Sequence, residues 1–258
     1  MTAKLPSFDL RGQTALVTGA SSGLGRHFAS VLARAGAAVA LAARRAEMLA
    51  DAVAEIGGEG GRAAAVGLDV TSRDSVVAAF DAAERAFGPV DILVNNAGVV
   101  VSKPTLEQTE AEWDRVVDTN LKGAWLMSQE AARRWTAANR AGRIVNIASI
   151  LGLRTIANIP GYIASKAGLA HLTHSMAMEL GRKKITVNAL APGYIETDLN
   201  RGFLRSEAGL SLARRIPMGR IGQPEDLDGA LLLLASPAGA YINGAVIPVD
   251  GGHLVSSL

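Results

Sequence analysis

The chain has 258 residues, 49% of them hydrophobic and 19% charged, with Lys plus Arg at 26 against Asp plus Glu at 24. That balance leaves a net charge of +2, too small for a nucleic-acid footprint, and the pairs Arg44-Arg45, Arg133-Arg134 and Arg214-Arg215 are scattered among acids. With no cysteine there is neither a disulfide nor a thiolate metal site, as suits a reducing cytoplasm; no apolar run at either end reads as a signal peptide or a membrane span.

Strand-length apolar runs alternate with helical patterns along the whole chain. Thr14 to Thr18 reads as a buried strand ending in glycine, followed by a helix with Leu24, Phe28, Val31, Leu32 and Ala35 on one face, closed by Gly36. Residues 37–43 form the second strand, 47–56 the second helix and 62–68 the third strand. Thr71-Ser-Arg-Asp74 resembles a capping box opening a helix to Phe87, and 91–95 is the fourth strand. Thr109-Glu-Ala-Glu112 caps one long helix running past Trp125 toward Trp135. Residues 143–148 are the fifth strand, 162–181 a long helix and 185–190 the sixth strand. After an irregular stretch, Pro224 opens a helix to Leu234, and 245–249 is the seventh strand. The alternation predicts a single-domain α/β fold over 1–258, a Rossmann-type doubly wound parallel sheet of seven strands with helices on both faces. Ligands of such sheets bind beyond the carboxyl ends of the strands, where Gly19, Asn95, Ser149 and Pro192-Gly193 fall.

Two patterns carry chemistry. Gly19-Ala-Ser21-Ser22-Gly23-Leu24-Gly25, between a strand and a helix, permits a tight turn and close backbone approach to a pyrophosphate at a helix N-terminus. Its spacing is Gly-x-x-x-Gly-x-Gly rather than the usual Gly-x-Gly-x-x-Gly. Tyr162 and Lys166 stand one helical turn apart, with Ser149 thirteen residues upstream. A nearby ammonium favours a phenolate, so the pair reads as a proton donor and its tuner, with Ser149 a hydrogen-bond donor to the same substrate oxygen.

These residues, in this order, resemble the short-chain dehydrogenase/reductase family, in its 3-oxoacyl reductase-like branch, over nearly the whole chain. Thr18 to Gly25 looks like the family's cofactor turn, Asp69-Val70 its adenine contact and Asn95-Asn96-Ala97-Gly98 its central-strand motif. Asn120, Ser149, Tyr162 and Lys166 match its catalytic set, and Pro192, Gly193, Ile195 and Thr197 its nicotinamide-side loop. The resemblance implies hydride transfer between a nicotinamide and a ketone or alcohol. Ser149 would hold the oxygen, Tyr162 would protonate it, and Lys166 would lower the phenol pKa while binding the nicotinamide ribose. Asn120 would anchor a water leading to Lys166.

Ala43, Arg44 and Arg45 stand where an NAD-specific fold places an acid, so NADP(H) is expected over NAD(H), although Ser22 replaces a further basic residue of many relatives. By analogy, residues 99–101, Leu151 and Arg154 within 150–154, Tyr194 and residues 199–210 line a substrate pocket under a lid at about 194–222 made mobile by Gly202 and Gly209. Arg154, Arg201 and Arg205 are candidates for an anionic tail. Met178 precedes Glu179 where acyl-carrier-protein reductases often carry a base. The expected activity is NADPH-dependent reduction of a ketone; the alternatives are a sugar, sugar-acid or polyol dehydrogenase and a non-catalytic NADP(H) sensor. His171 and His174 lack ligand-spaced partners, so no metal is expected. Trp113, Trp125 and Trp135 belong to packing or a subunit contact, and relatives imply a homotetramer.

Overall fold

Seven short strands are buried because helices cover both faces of the sheet they form. In the computed structural model, which describes residues 6–197 and 200–256, they are β1 (Thr14–Thr18), β2 (Ala38–Ala43), β3 (Arg62–Gly67), β4 (Ile92–Asn95), β5 (Gly142–Ile147), β6 (Ile185–Pro192) and β7 (Val246–Val249). Every pairing is parallel, in the order β3-β2-β1-β4-β5-β6-β7. All five residues of β1 and all six of β2 are buried, which accounts for their unbroken apolar sequences.

Helices α1 (Gly23–Arg34), α2 (Ala50–Gly58) and α9 (Asp228–Ala235) cover one face, where Phe28, Leu32, Ile56, Leu227 and Leu231 pack against Val17, Val39 and Leu41. On the other face α3 (Arg73–Phe87), α5 (Gly123–Ala137) and α6 (Pro160–Leu180) bury Val76, Phe80, Met127, Trp135, Met176 and Leu180 against Leu16, Leu93, Ile144 and Val187. Trp135 fixes the fit at one point. Its indole N–H donates to Val90 O at 2.5 Å, and a Cβ on Gly142 would lie 2.2 Å from its ring. The strand order reverses between β1 and β4, which opens a crevice at their carboxyl ends. No helix among the described residues is long and apolar enough to cross a membrane.

The structure corrects four local expectations. The cap of α3 is Ser72, whose hydroxyl accepts from Ser75 N, while Thr71 is drawn away by the Asp69 carboxylate. The long helix after Thr109 is divided into α4 (Glu110–Val117), a π-turn (Asp118–Lys122) and α5. Its expected capping box is intact: Thr109 Oγ1 accepts from Glu112 N, and Glu112 accepts from Thr109 N. Pro224 opens a 3-10 turn (Pro224–Leu227) ahead of α9 rather than one continuous helix. The irregular stretch holds two short helices, α7 (Arg201–Leu204) and α8 (Glu207–Arg215).

Candidate active site

The glycine turn is locked onto the neighbouring strand end. Gly19 and Gly23 have φ of +65° and +54°, the left-handed region where a side chain strains the backbone. Thr18 Oγ1 accepts from the N–H groups of Asn96 (3.0 Å) and Ala97 (2.9 Å), and Asn96 Nδ2 donates to the carbonyls of Thr18 (3.0 Å) and Gly19 (3.2 Å). Asn96 therefore spends its amide holding the turn. Gly25 lies behind it, where a Cβ would come 2.3 Å from Gly19 O and 2.4 Å from Asn96 Nδ2. Ser21, Ser22, Gly23 and Leu24 face the cleft, and the Ser22 hydroxyl makes no cap bond to α1. The first N–H groups of α1 and its positive end thus suit a pyrophosphate.

The cleft has a volume of about 1080 Å³, enough for a dinucleotide and a small substrate. At one end stand Ala43, Arg44, Asp69, Val70 and Thr71. The Asp69 carboxylate accepts from Thr71 N (3.0 Å) and Oγ1 (2.7 Å), which holds it below the usual carboxylate range with a further push from the Arg44 charge. Val70 packs against Gly123, where a Cβ would be 2.7 Å away. Arg45 is exposed and lies outside the cleft wall, so of the two expected cations only Arg44 faces it. Arg115, Asp118 and Thr119 also line the cleft, unforeseen from sequence. Their i, i+3, i+4 spacing just ahead of Asn120 was the available signal.

At the other end Ser149, Tyr162 and Lys166 converge with Ala97, Gly98, Pro192 and Gly193. Tyr162 sits in the first turn of α6, which Pro160 opens. Lys166 is buried, its Nζ donating to Ile147 O at 2.7 Å and standing 5.7 Å from the Tyr162 ring centroid. Burial lowers the Lys166 pKa from 10.5 to about 8. The Tyr162 phenol moves opposite to expectation. Burial pushes it above its ordinary value, a hydrogen bond with Ser149 pulls it back, and the Tyr194 phenol pushes it up again. Desolvation of the phenolate outweighs the Ser149 hydrogen bond.

Asn120 stands next to this set. It lies in the π-turn outside the cleft wall, with Oδ1 accepting from Val99 N (2.8 Å) and Nδ2 donating to Val99 O (2.9 Å) and Ser165 Oγ (3.1 Å). Ser165 Oγ in turn donates to Tyr162 O at 2.7 Å. The side chain ties the β4 loop to the turn bearing Tyr162. Gly98 lies close to both Asn120 and Lys166: a Cβ there would be 3.3 Å from Asn120 Oδ1 and 3.6 Å from Lys166 Nζ.

Val99, Val100, Leu151, Ile156, Ile159, Tyr194, Ile195, Thr197 and Asn200 complete the wall. Arg154 is not part of it; its guanidinium is turned away onto the carbonyl of His253. Arg201 and Arg205 reach Glu196 at 2.9 and 3.3 Å, which draws these cations to the surface of the 194–222 segment. Leu199 lies outside the described residues. His171 and His174 meet edge-on with centroids 5.7 Å apart on an exposed face of α6, and no metal-holding group occurs among the described residues. Trp135 is core, whereas Trp113 and Trp125 are partly exposed.

Residues 19–253 match the family described as enoyl-(acyl carrier protein) reductase. The gluconate 5-dehydrogenase of Gluconobacter oxydans is 41% identical over 250 residues, 96% of this chain and 97% of that protein. A 3-oxoacyl-[acyl-carrier-protein] reductase of Pseudomonas aeruginosa is 41% identical over 251 residues, 96% and 100% of the two chains. The chain belongs to the short-chain dehydrogenase/reductase family. Its fold agrees: the crystal structure of a gluconate 5-dehydrogenase from Burkholderia cenocepacia in complex with NADP and tartrate superposes with a TM-score of 0.92 at 37% identity, covering 98% of this chain and 99% of that one. Within this family of oxidoreductases, the ordered set Ser149, Tyr162 and Lys166 is what the cleft brings to one point.

Proposed function

We propose that the protein interconverts a ketone and a secondary alcohol, with NADP(H) as cofactor and Tyr162 as acid/base. The observation that carries this reading is the convergence of Ser149, Tyr162 and Lys166 in the cleft that the glycine turn also lines. The residues fit the cofactor: open N–H groups at the start of α1, glycines where a Cβ would collide, and a cleft-facing Arg44 that acts on Asp69. When bound, the nicotinamide supplies or accepts the hydride. For reduction, Tyr162 Oη gives its proton to the substrate oxygen while Ser149 Oγ donates a hydrogen bond to the same atom. The Lys166 ammonium stabilises the phenolate that remains. Asn120 and Ser165 hold Val99 and the Tyr162 turn in register. The 194–222 segment closes over the substrate as a lid.

Arg44 supports NADP(H) over NAD(H), because a guanidinium binds a 2′-phosphate that a carboxylate would repel. A sugar-acid substrate is the favoured second reading, supported by the gluconate 5-dehydrogenases among the relatives. A 3-oxoacyl thioester has the reductases in its favour and Met178 before Glu179 against it. The exposed Trp113, Trp125 and Met178 on α4 to α6 support a homotetramer, and the cysteine-free composition a cytoplasmic setting.

A screen of ketones and alcohols with both cofactors tests the assignment. Turnover is expected with NADP(H) at the higher kcat/KM, and Arg44→Asp shifts the NADP(H)/NAD(H) ratio toward NAD(H) by about 100-fold. An unchanged ratio contradicts the cofactor assignment. Tight NADPH binding without turnover of any compound, unaffected by Tyr162→Phe, would identify a sensor instead.

A further inference from the structure

Behind the substrate end of the cleft stands a cluster that the Ser149, Tyr162 and Lys166 set does not use. Tyr194 lines the cleft, and its ring packs on that of His253 with centroids 5.6 Å apart at 39°. His253 begins the turn His253–Val255, and its carbonyl is held by the Arg154 guanidinium. The Asp250 carboxylate fixes the same turn by accepting from Gly252 N (2.9 Å) and Leu254 N (2.5 Å). Gly252 then packs onto Pro217, two residues beyond Arg215 at the end of α8. Tyr194 is thus backed by a wall that sets its orientation.

The charge of this wall is one-sided. Burial holds the Tyr194 phenol above and the His253 imidazole below their ordinary values; the Arg154 and Arg215 charges pull against the first shift and add to the second. Neither forms an ion pair among the described residues. The acid that acts on His253 is Asp250, already bound by two main-chain N–H groups. Two cations and one carboxylate stand behind a phenol that lines the cleft. Such a donor in a positive field suits an oxyanion better than a neutral oxygen.

We infer that Tyr194 is a specificity-determining residue that receives a carboxylate of the substrate, with Arg154 and Arg215 supplying positive charge from behind, so that small hydroxy and oxo acids are preferred. The inference rests on the oxidoreductase reading above and names the substrate class for it. Tyr194 touches the substrate; Arg154, bonded into the wall, is a positioning residue.

The test pairs short hydroxy and oxo acids, aldonates included, each with its uncharged primary amide, and measures kcat and KM with NADP(H). Wild type is expected to favour the acids by at least about tenfold in kcat/KM. Tyr194→Phe keeps the ring on His253 and is expected to lower kcat/KM for the acids about tenfold, chiefly through KM, and to leave the amides within about twofold. Arg215→Gln, an exposed change that leaves the core intact, is expected to lower it several-fold for the acids alone, more at low salt. Equal losses for acids and amides, or no preference in wild type, overturn the inference. If no compound turns over, the activity assignment fails separately, and calorimetry with tartrate on the NADP complex decides the subsite: weaker binding to Tyr194→Phe upholds it, equal or absent binding overturns it.

Discussion

Lys166 is a charge held largely out of water at the cleft wall. Its folded pKa of about 8 lies below the ordinary 10.5, so the native state holds the proton less tightly than the unfolded chain. Below pH 8 this burial costs about 3 kcal/mol, and the cost fades as pH rises toward 10.5, so stability grows with pH across that window. Lys166→Met removes the buried charge and also the bond to Ile147 O, worth about 1 kcal/mol. The variant is expected to be inactive yet more stable by about 2 kcal/mol at pH 7, with the advantage gone by about pH 10.5. Calorimetry at the two pH values checks this; a variant less stable at pH 7, or equally favoured at both, contradicts it. At this scale the sequence revealed identities better than roles. The spacing of Tyr162 and Lys166 was legible because a helical turn is fixed geometry. The direction of the Tyr162 shift was not, because desolvation depends on walls contributed by distant segments. Arg154 misled for the same reason: nothing local shows that a turn at the C-terminal end will accept its guanidinium.

The turn between β1 and α1 works as an element because four hydrogen bonds bind it to the end of β4. Gly25 matters there for what its absent side chain leaves open, the approach of Asn96 to Gly19. Gly25→Ala is expected to displace the turn, lowering stability by about 1–3 kcal/mol and weakening NADPH binding tenfold or more. Thermal unfolding and NADPH fluorescence titration measure both, and unchanged affinity would contradict the account. The strands and most helices were legible from sequence, since buried parallel strands read as unbroken apolar runs and amphipathic helices as periodic ones. The π-turn at Asp118–Lys122 was not, because it changes the hydrogen-bonding of a helix without changing its composition. The misplaced cap of α3 has a simpler cause: Thr71 and Ser72 are adjacent hydroxyls, and the Asp69 carboxylate decides which is free to cap.

For the whole molecule, the reversal of strand order between β1 and β4 gathers the ends of six strands, β1 to β6, around one crevice, bringing residues as far apart as Gly19 and Thr197 to a common wall. Alternation of strands and helices along the chain made this architecture legible. Self-association is less so, because a single chain shows an exposed face and not what covers it. Trp113, Trp125 and Met178 leave apolar surface open on α4 to α6, so Trp125→Glu is expected to convert a tetramer to smaller species in light scattering at equal concentration. A wild-type monomer would contradict that assembly. The catalytic account itself depends on Tyr162 exchanging a proton with a substrate oxygen, and one comparison tests it most directly. NADPH oxidation is followed for wild type and Tyr162→Phe across the carbonyl panel, with NADPH affinity measured alongside. The account predicts that the variant binds NADPH as wild type does and loses about a thousandfold or more in kcat; full activity in the variant would contradict it.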